Sequence, residues 1–283
     1  MNADLIAVDW GSTHLRAWQG EKTLNLPLGV SRLDGRSPRD IFDRHIAPWR
    51  ESPATPVMMA GMIGSDAGWQ AVPYLPCPLS LQTLSANLCE VAENVWIVPG
   101  LKVEGENVMR GEETQLLGAM QLSPAACYVM PGTHSKWVQV ANGQVTGFAT
   151  AMTGELHHLL MAHSLIGNGL PQQIDDDSAF REGLARGLRS PTVVSELFRN
   201  RAARVLGKLP ATSVSDALSG LLIGAEISAM LATCPVKTVT LVASAALASR
   251  YQTAFTAAHV EARCVSGDRA FLQGIRSILD ERR

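Results

Sequence analysis

Short apolar runs separated by turn residues dominate the first part of the chain, and they are too brief to be helices. Leu5–Val8, Leu15–Trp18 and Thr23–Leu26 predict an antiparallel meander, because only a few turn residues connect them. Ser37-Pro38-Arg39-Asp40 then predicts a helix start, with Ser37 as N-cap and Pro38 in the first turn, running to His45. Val57–Ala60 reads as a buried strand that exits through Gly61-Met62-Ile63-Gly64-Ser65. Pro73, Pro76 and Pro78 predict a loop over a surface or site. Leu81–Val91 is expected to be helical, Trp96–Val98 a strand, and Glu112–Leu122 a helix with Leu116, Leu117 and Met120 at helical spacing, closed by Ser123-Pro124.

The second half restarts the same order. Tyr128–Met130, Trp137–Val140 and Val145–Thr150 predict three strands, with Asn142-Gly143 as a hairpin turn. Helices are expected over Gly154–His163, over Asp177–Leu206 with a break at Ser190-Pro191, and over Ser215–Ala232, where Leu218, Leu222, Ala225 and Ala229 share a face. Thr238–Ala243 is a strand, Ala245–Ala257 a helix, His259–Val265 a strand and Asp268–Arg282 a final helix. Two halves with similar element order predict two α/β domains, 1–122 and 123–283.

Composition narrows the functional classes. The 283 residues, 46% hydrophobic and 18% charged, suit a compact protein with room for two cores. A net charge of −2 supplies no broad basic field for nucleic acid or an acidic membrane. Cys77, Cys89, Cys127, Cys234 and Cys264 form no CxxC pair and read as reduced thiols. Met1-Asn2-Ala3-Asp4 lacks the basic and apolar regions of a signal peptide, and Leu218–Ala232 is interrupted by Glu226 and reads as too short to cross a bilayer. A cytoplasmic location is expected.

The candidate chemistry sits in two glycine-bearing hairpins. Asp9-Trp10-Gly11-Ser12-Thr13 and Pro131-Gly132-Thr133-His134-Ser135-Lys136 each follow an apolar strand and precede another. Gly11 and Gly132 let backbone N–H groups approach an anion, while Ser12, Thr13, Thr133 and Ser135 add hydroxyl donors. Asp9 would repel a bare phosphate, so a Mg²⁺ between it and the phosphates makes chemical sense. Two such hairpins suggest duplicated halves facing one nucleotide.

In order along the chain, Ile6–Arg16, Met59–Ser65, Met109–Gln115, Met130–Trp137, Met152–His158 and Gly267–Phe271 resemble the 2-dehydro-3-deoxygalactonokinase family, within the sugar kinase, heat-shock ATPase and actin superfamily. The resemblance implies two ribonuclease H-like (actin-like ATPase) domains with an interdomain cleft. It also implies ATP- and Mg²⁺-dependent phosphorylation of 2-dehydro-3-deoxy-D-galactonate at its 6-hydroxyl, in D-galactonate breakdown.

Site residues follow from that resemblance together with their chemistry. Asp9 is the expected metal ligand, against a plain turn-capping role. Arg16 resembles an arginine of glycerol kinase-like proteins that approaches nucleotide phosphate; the dull alternative is a solvated strand charge. A carboxylate must accept the attacking hydroxyl's proton, and Glu112 or Glu113 is expected to do so, Glu112 slightly preferred. The rival role for the pair is complementing a helix dipole. Gly61, Met62, Gly64 and Ser65 resemble a substrate loop of xylulokinase-like enzymes, and Arg110 and Arg32 are the candidate clamps for the substrate carboxylate. Lys136 could reach a transferring phosphate or be merely solvated. The cofactor set includes Gly132, Thr133, His134 and Ser135. Ser244 belongs to it as well, in a Val242–Ala246 strand exit that lacks the Gly-Gly of related kinases.

Other signals are weaker. His157, His158 and His163 lack zinc-ligand spacing, Gly167-Asn168-Gly169 is a turn, Asp175-Asp176-Asp177 is a solvated run, and no GxxxxGK[ST] occurs. The remaining functional alternatives are an ATPase of the same fold that phosphorylates no sugar, and a kinase of another small sugar or keto acid. The expected partner is a small sugar acid, with no nucleic acid or membrane; a homo-oligomer is left open.

Overall fold

The computed structural model describes residues 5–190 and 192–282, so Met1–Asp4, Pro191 and Arg283 lie outside the described residues. The chain divides into two compact units: residues 1–124, 139–148 and 265–283 form the first, and 125–138 and 149–264 the second. A single division between 122 and 123 thus misses two segments. The physical reason is packing, because the closing helix and the tip of a long hairpin bury their contacts in the first unit.

In unit 1, β1 (Ile6–Trp10), β2 (Leu15–Gln19) and β3 (Lys22–Leu26) form the expected meander. Helix α1 (Pro38–His45) starts at a capping box, in which the Asp40 N–H donates to Ser37 Oγ and the Ser37 N–H donates to Asp40 Oδ2, both at 3.1 Å. Strand β4 (Val57–Ala60) pairs parallel with β1. The triple-proline stretch is not wholly irregular, since it holds β5 (Leu75–Pro76) and β6 (Leu79–Ser80). The helix expected over Leu81–Val91 shrinks to one turn, α2 (Thr83–Ala86), followed by β7 (Cys89–Ala92). Strand β8 (Val95–Ile97) pairs antiparallel with β7 around Asn94, whose φ is 57°, and that pairing overrides the local helical spacing. Two strands not anticipated, β9 (Leu101–Val103) and β10 (Asn107–Met109), join β5 in a small sheet, and α3 (Glu112–Leu122) follows. The main sheet runs β3-β2-β1-β4-β8-β7. Ile6, Val8, Trp10, Ile41, Met59 and Ile97 belong to its core.

Unit 2 is built on β11 (Cys127–Met130), β12 (Ser135–Ala141) and β13 (Gln144–Ala151), then α4 (Thr153–His163), α5 (Asp177–Arg189), α6 (Val193–Val205) and α7 (Val214–Thr233). Strand β14 (Thr238–Ala243), α8 (Ala245–Ala257) and β15 (Glu261–Ser266) complete it, with sheet order β15-β14-β11-β12-β13. Asn142 (φ 52°) and Gly143 (φ 74°) make the turn between β12 and β13. The tip of that hairpin counts with unit 1, where Gln144 and Val145 pair with β6. Helix α7 and the turn before it, Ala211–Thr233, are long and apolar enough to cross a membrane, contrary to the expectation from Leu218–Ala232. Its apolar window is 61% buried inside the protein, as a core helix requires.

Each unit contains one helix pair in near backbone contact. In unit 1, α9 (Gly267–Arg282) lies so close to α3 that a Cβ on Gly118 would stand 1.9 Å from Ala270 O, and one on Gly274 1.9 Å from Thr114 O. In unit 2, a Cβ on Gly183 would meet Ala217 O at 2.1 Å, and one on Gly220 would meet Phe180 O at 2.0 Å, joining α5 to α7. Any larger residue at these crossings must force the helices apart.

Candidate active site

In unit 1 the first hairpin places charge at the end of a buried strand. Asp9 and Arg16 are directly opposed across the β1–β2 pair and so project on one face. The Arg16 Nη2 donates to Asp9 Oδ2, and its Nη1 donates to Asp268 Oδ1 at 2.6 Å, from the first turn of α9. Burial raises the Asp9 pKa, and the Arg16 charge opposes that rise. Asp9, Gly11, Thr13, His14, Arg16 and Asn25 line an open depression of about 380 Å³. Ser12 and Thr13 are exposed at its rim. Their backbone is pinned from behind: Val30 N donates to Gly11 O and Ser31 N to Ser12 O, and a Cβ on Gly29 would meet Thr13 N at 2.2 Å.

Three chain segments converge beside Asp9. Gly61 leaves β4 at φ 102°, where a Cβ would meet Trp10 O at 2.7 Å and Asp9 Oδ1 at 3.5 Å. Gly111 caps α3 at φ 104°, and its Cβ position lies 3.1 Å from Gly61 Cα. Both positions need glycine for conformation and for room. The first turn of α3 therefore stands against the exits of β1 and β4. Met62–Gly64 forms one 3₁₀ turn, and the Ser65 hydroxyl donates back to Met62 O at 2.7 Å, closing its own loop.

The two glutamates behave differently. Glu112 is half-buried, and its Oε2 accepts from the Arg110 N–H at 3.0 Å. Glu113 is fully buried; it accepts from Gly111 N at 2.7 Å and from Thr114 Oγ1 at 3.1 Å. Burial first, and the neighbouring Glu112 second, push its pKa up to about 8. Of the two expected bases, Glu113 is the enclosed one and Glu112 the more accessible. Arg110 is buried beside Gly64, whereas Arg32 is exposed on the loop after the first hairpin, so the two expected clamps occupy unlike environments.

In unit 2 the second hairpin is organised by a residue that the sequence did not single out. Glu226 on α7 is buried and accepts four hydrogen bonds. Ser135 Oγ (2.7 Å) and Trp137 Nε1 (2.8 Å) donate to one oxygen; Thr153 Oγ1 and Tyr251 Oη (2.6 Å) donate to the other. Residues 135 and 137 share a face of β12, which turns Ser135 into the core rather than toward a ligand. Ser135 is thus a supporting residue, against its expected role as a direct nucleotide contact. Lys136 is also buried, and its Nζ donates to Thr150 Oγ1 at 3.3 Å, so it is neither solvated nor part of the pocket lining. Ser244, at the N-cap of α8, is exposed and also outside that lining.

Gly132 opens onto a pocket of about 270 Å³ with walls from Pro131, Thr153, Gly154, His157, Ser219, Leu222, Leu247, Arg250 and Tyr251. Its floor is fixed by the first turn of α4. A Cβ on Gly154 would meet Gly132 O at 2.3 Å, Glu155 N donates to Thr133 O at 3.0 Å, and His134 Nε2 pairs with Glu155 Oε2 at 2.6 Å. Arg250 is held by Asp216 and lies over Phe180, while burial keeps the His157 imidazole below its ordinary pKa. Of this pocket's lining, only Gly132 is among the cofactor candidates expected from the sequence. The runs Met152–His158 and Gly267–Phe271 stood out in sequence, but only their folded neighbours assign them to the pocket and to Arg16.

A family model described as 2-keto-3-deoxy-galactonokinase matches residues 9–278. The chain belongs to this family. It is 51% identical, over 98% of both chains, to the 2-dehydro-3-deoxygalactonokinase of Escherichia coli (strain K12). A Rhizobium meliloti (strain 1021) protein assigned the same activity is 33% identical over 95% of this chain and 94% of its own. A crystal structure from Sinorhizobium meliloti, also assigned that activity, superimposes with a TM-score of 0.88 at 32% identity, covering 97% of each chain. An activator of 2-hydroxyisocaproyl-CoA dehydratase from Clostridium difficile, solved with bound ADPNP, shares the fold with a TM-score of 0.52 at 12% identity, covering 98% of this chain and 95% of that one. The fold of this family member is therefore the actin-like ATPase α/β type, with a sheet and packed helices in each of two units.

Proposed function

We propose that the chain is an ATP-dependent kinase that phosphorylates 2-dehydro-3-deoxy-D-galactonate at its 6-hydroxyl, in D-galactonate catabolism. The near full-length 51% identity to the E. coli enzyme carries this reading. The unit 2 pocket beside Gly132 takes the nucleotide, with Thr133 and His134, exposed on the same turn, completing the contacts. Leu222 and Leu247 supply apolar wall, Arg250 a cation, and Gly132 an unobstructed backbone. The depression at Asp9, Ser12, Thr13 and Arg16 receives phosphate together with Mg²⁺.

The donor set fits that ion. Asp9 lines an open polar depression with the Thr13 hydroxyl, and Asp268 shares the same guanidinium with it. Among the described residues no group of three or more His, Cys, Asp or Glu forms a dedicated cage. Mg²⁺ is commonly held by one or two carboxylates plus water and substrate phosphate. When bound it would offset charge on the phosphates.

This chain's own residues do the rest. Gly61, Met62, Gly64 and Ser65 form the sugar loop, and glycine at 61 and 111 lets an acceptor approach beside Asp9. Glu112, half-exposed at the start of α3, accepts the proton of the attacking hydroxyl. Arg16 steadies phosphate charge once a phosphate competes with its two carboxylates. A cytoplasmic location and a lack of nucleic-acid or membrane partners accord with the net charge of −2.

The test is ADP release with ATP, Mg²⁺ and a panel of 2-keto-3-deoxy acids, with the phosphorylated carbon located by NMR. Acid-dependent release and a 6-phosphate product are expected, and Glu112→Gln should lower kcat by roughly 10²- to 10⁴-fold with nucleotide binding retained. ADP release indifferent to every sugar acid would favour an ATPase of the same fold instead.

A further inference from the structure

We infer that Arg110 is the receptor for the carboxylate of the sugar acid and sets the requirement for an acid substrate; this rests on the kinase reading above. Arg110 is only 9% exposed, yet its guanidinium forms no ion pair among the described residues. Its Nη2 donates to Val72 O at 2.6 Å, and its Cζ lies 4.1 Å from the centre of the Tyr74 ring. The remaining nitrogens, Nε and Nη1, are buried without a hydrogen-bond partner. A buried cation with idle donors is costly unless an anion completes it, and a carboxylate is the natural complement of a guanidinium.

Close packing at those nitrogens depends on glycine. A Cβ on Gly64 would stand 2.8 Å from Arg110 Nη1 and 2.9 Å from Ile97 Cγ2, so only glycine leaves the guanidinium edge clear there. Tyr74 covers the ring face, so an entering carboxylate must come along the Gly64 side and displace that turn or the ring. Arg110, Gly111 and Glu112 are consecutive, and the Glu112 carboxylate accepts from the backbone N–H of Arg110 itself. The receptor and the base are therefore separated by the length of an arginine side chain. An extended six-carbon acid, with carboxylate and reacting hydroxyl at opposite ends, spans a gap of that kind. Arg32 is solvated and lacks any such enclosure.

The deciding experiment compares wild type with Arg110→Met, Arg110→Lys, Gly64→Ala and Arg32→Met. Each is assayed on a 2-keto-3-deoxy acid and its carboxamide, for ATP affinity by calorimetry, and for the Tm with and without the acid. Arg110→Met should fold with a Tm at or above wild type, keep its ATP affinity and lose the acid-induced rise in Tm. Its kcat/KM on the acid should fall by about 10- to 100-fold, with the carboxamide unaffected. Lysine at 110 should recover part of the loss, and Gly64→Ala, which crowds Nη1 but keeps the charge, should reduce the preference for acid over carboxamide beyond any loss that both substrates share through the sugar loop. A destabilised Arg110→Met that still prefers acid to carboxamide, or an Arg32→Met that loses this preference, would overturn the proposal. Should Arg110→Met fail to fold, an unchanged preference in Gly64→Ala overturns it equally. A wild type that binds the acid through Arg110 without phosphorylating it would refute the kinase reading and keep this one; a wild type that neither binds nor phosphorylates it would refute both.

Discussion

Each unit hides one glutamate near its hairpin, and the two are supported in opposite ways. Glu226 has four donors from three other elements directed at its two oxygens. Glu113 has only the N–H groups of Gly111 and of its own backbone and the Thr114 hydroxyl, all within two residues, with another carboxylate as its neighbour. The first arrangement ties β12, α4 and α8 to α7; the second leaves a carboxyl that is easier to protonate than to solvate. Similar hairpins are thus backed by different physics. Unit 2 uses a buried hydrogen-bonded hub to shape a pocket, and unit 1 uses partly exposed ion pairs to present charge.

The largest expected effect is at the hub. Glu226→Ala strands four buried donors and should destabilise unit 2 by on the order of 4 kcal/mol or more, with Glu226→Gln milder. Urea unfolding followed by far-ultraviolet circular dichroism measures the effect. A loss below about 1 kcal/mol would erase the contrast.

Next comes the pH dependence of unit 1. Glu113 titrates near 8 when folded, above the ordinary 4.5, so the folded state holds a proton that the unfolded chain releases. Its contribution to stability is complete below pH 4.5 and is lost as pH rises toward 8, with a slope of up to about 1.4 kcal/mol per pH unit. Denaturation of wild type and Glu113→Gln across that range should show the slope only in wild type. Parallel curves would mean that Glu113 is solvated much as an ordinary carboxylate.

The smallest effect belongs to the ion pairs. Asp268 and Arg16 are 56% and 32% exposed, so Asp268→Asn should cost at most about 1 kcal/mol, shrinking in high salt. A thermal melt at two ionic strengths checks this. A larger, salt-insensitive loss would place unit 1 beside unit 2 in its mode of support.

Much of the fold was legible because its cues are local. Ser37-Pro38 starts α1 where its capping chemistry dictates, and Asn142-Gly143 supplies the two positive φ values its hairpin needs. The helix expected over Leu81–Val91 failed because Cys89–Ala92 gains a strand partner in β8, which apolar spacing alone cannot reveal. At the candidate site, Asp9 and Gly61 were marked by residue type, and the structure brings Gly111, which the sequence did not single out, beside them. Ser135 faces the core because a strand alternates its faces, and which face is the core depends on what packs there.

Sequence alone determined the two hairpins, the order of strands and helices around them, and the residue types at their turns. These follow from hydrophobic period and turn chemistry within a few residues. Tertiary structure decided what each polar group touches. Glu226 meets Ser135 from 91 positions away, and Asp268 meets Arg16 from 252, contacts that no local pattern encodes. Burial decided the remainder, since it makes Glu113 unlike Glu112, its immediate neighbour in the chain.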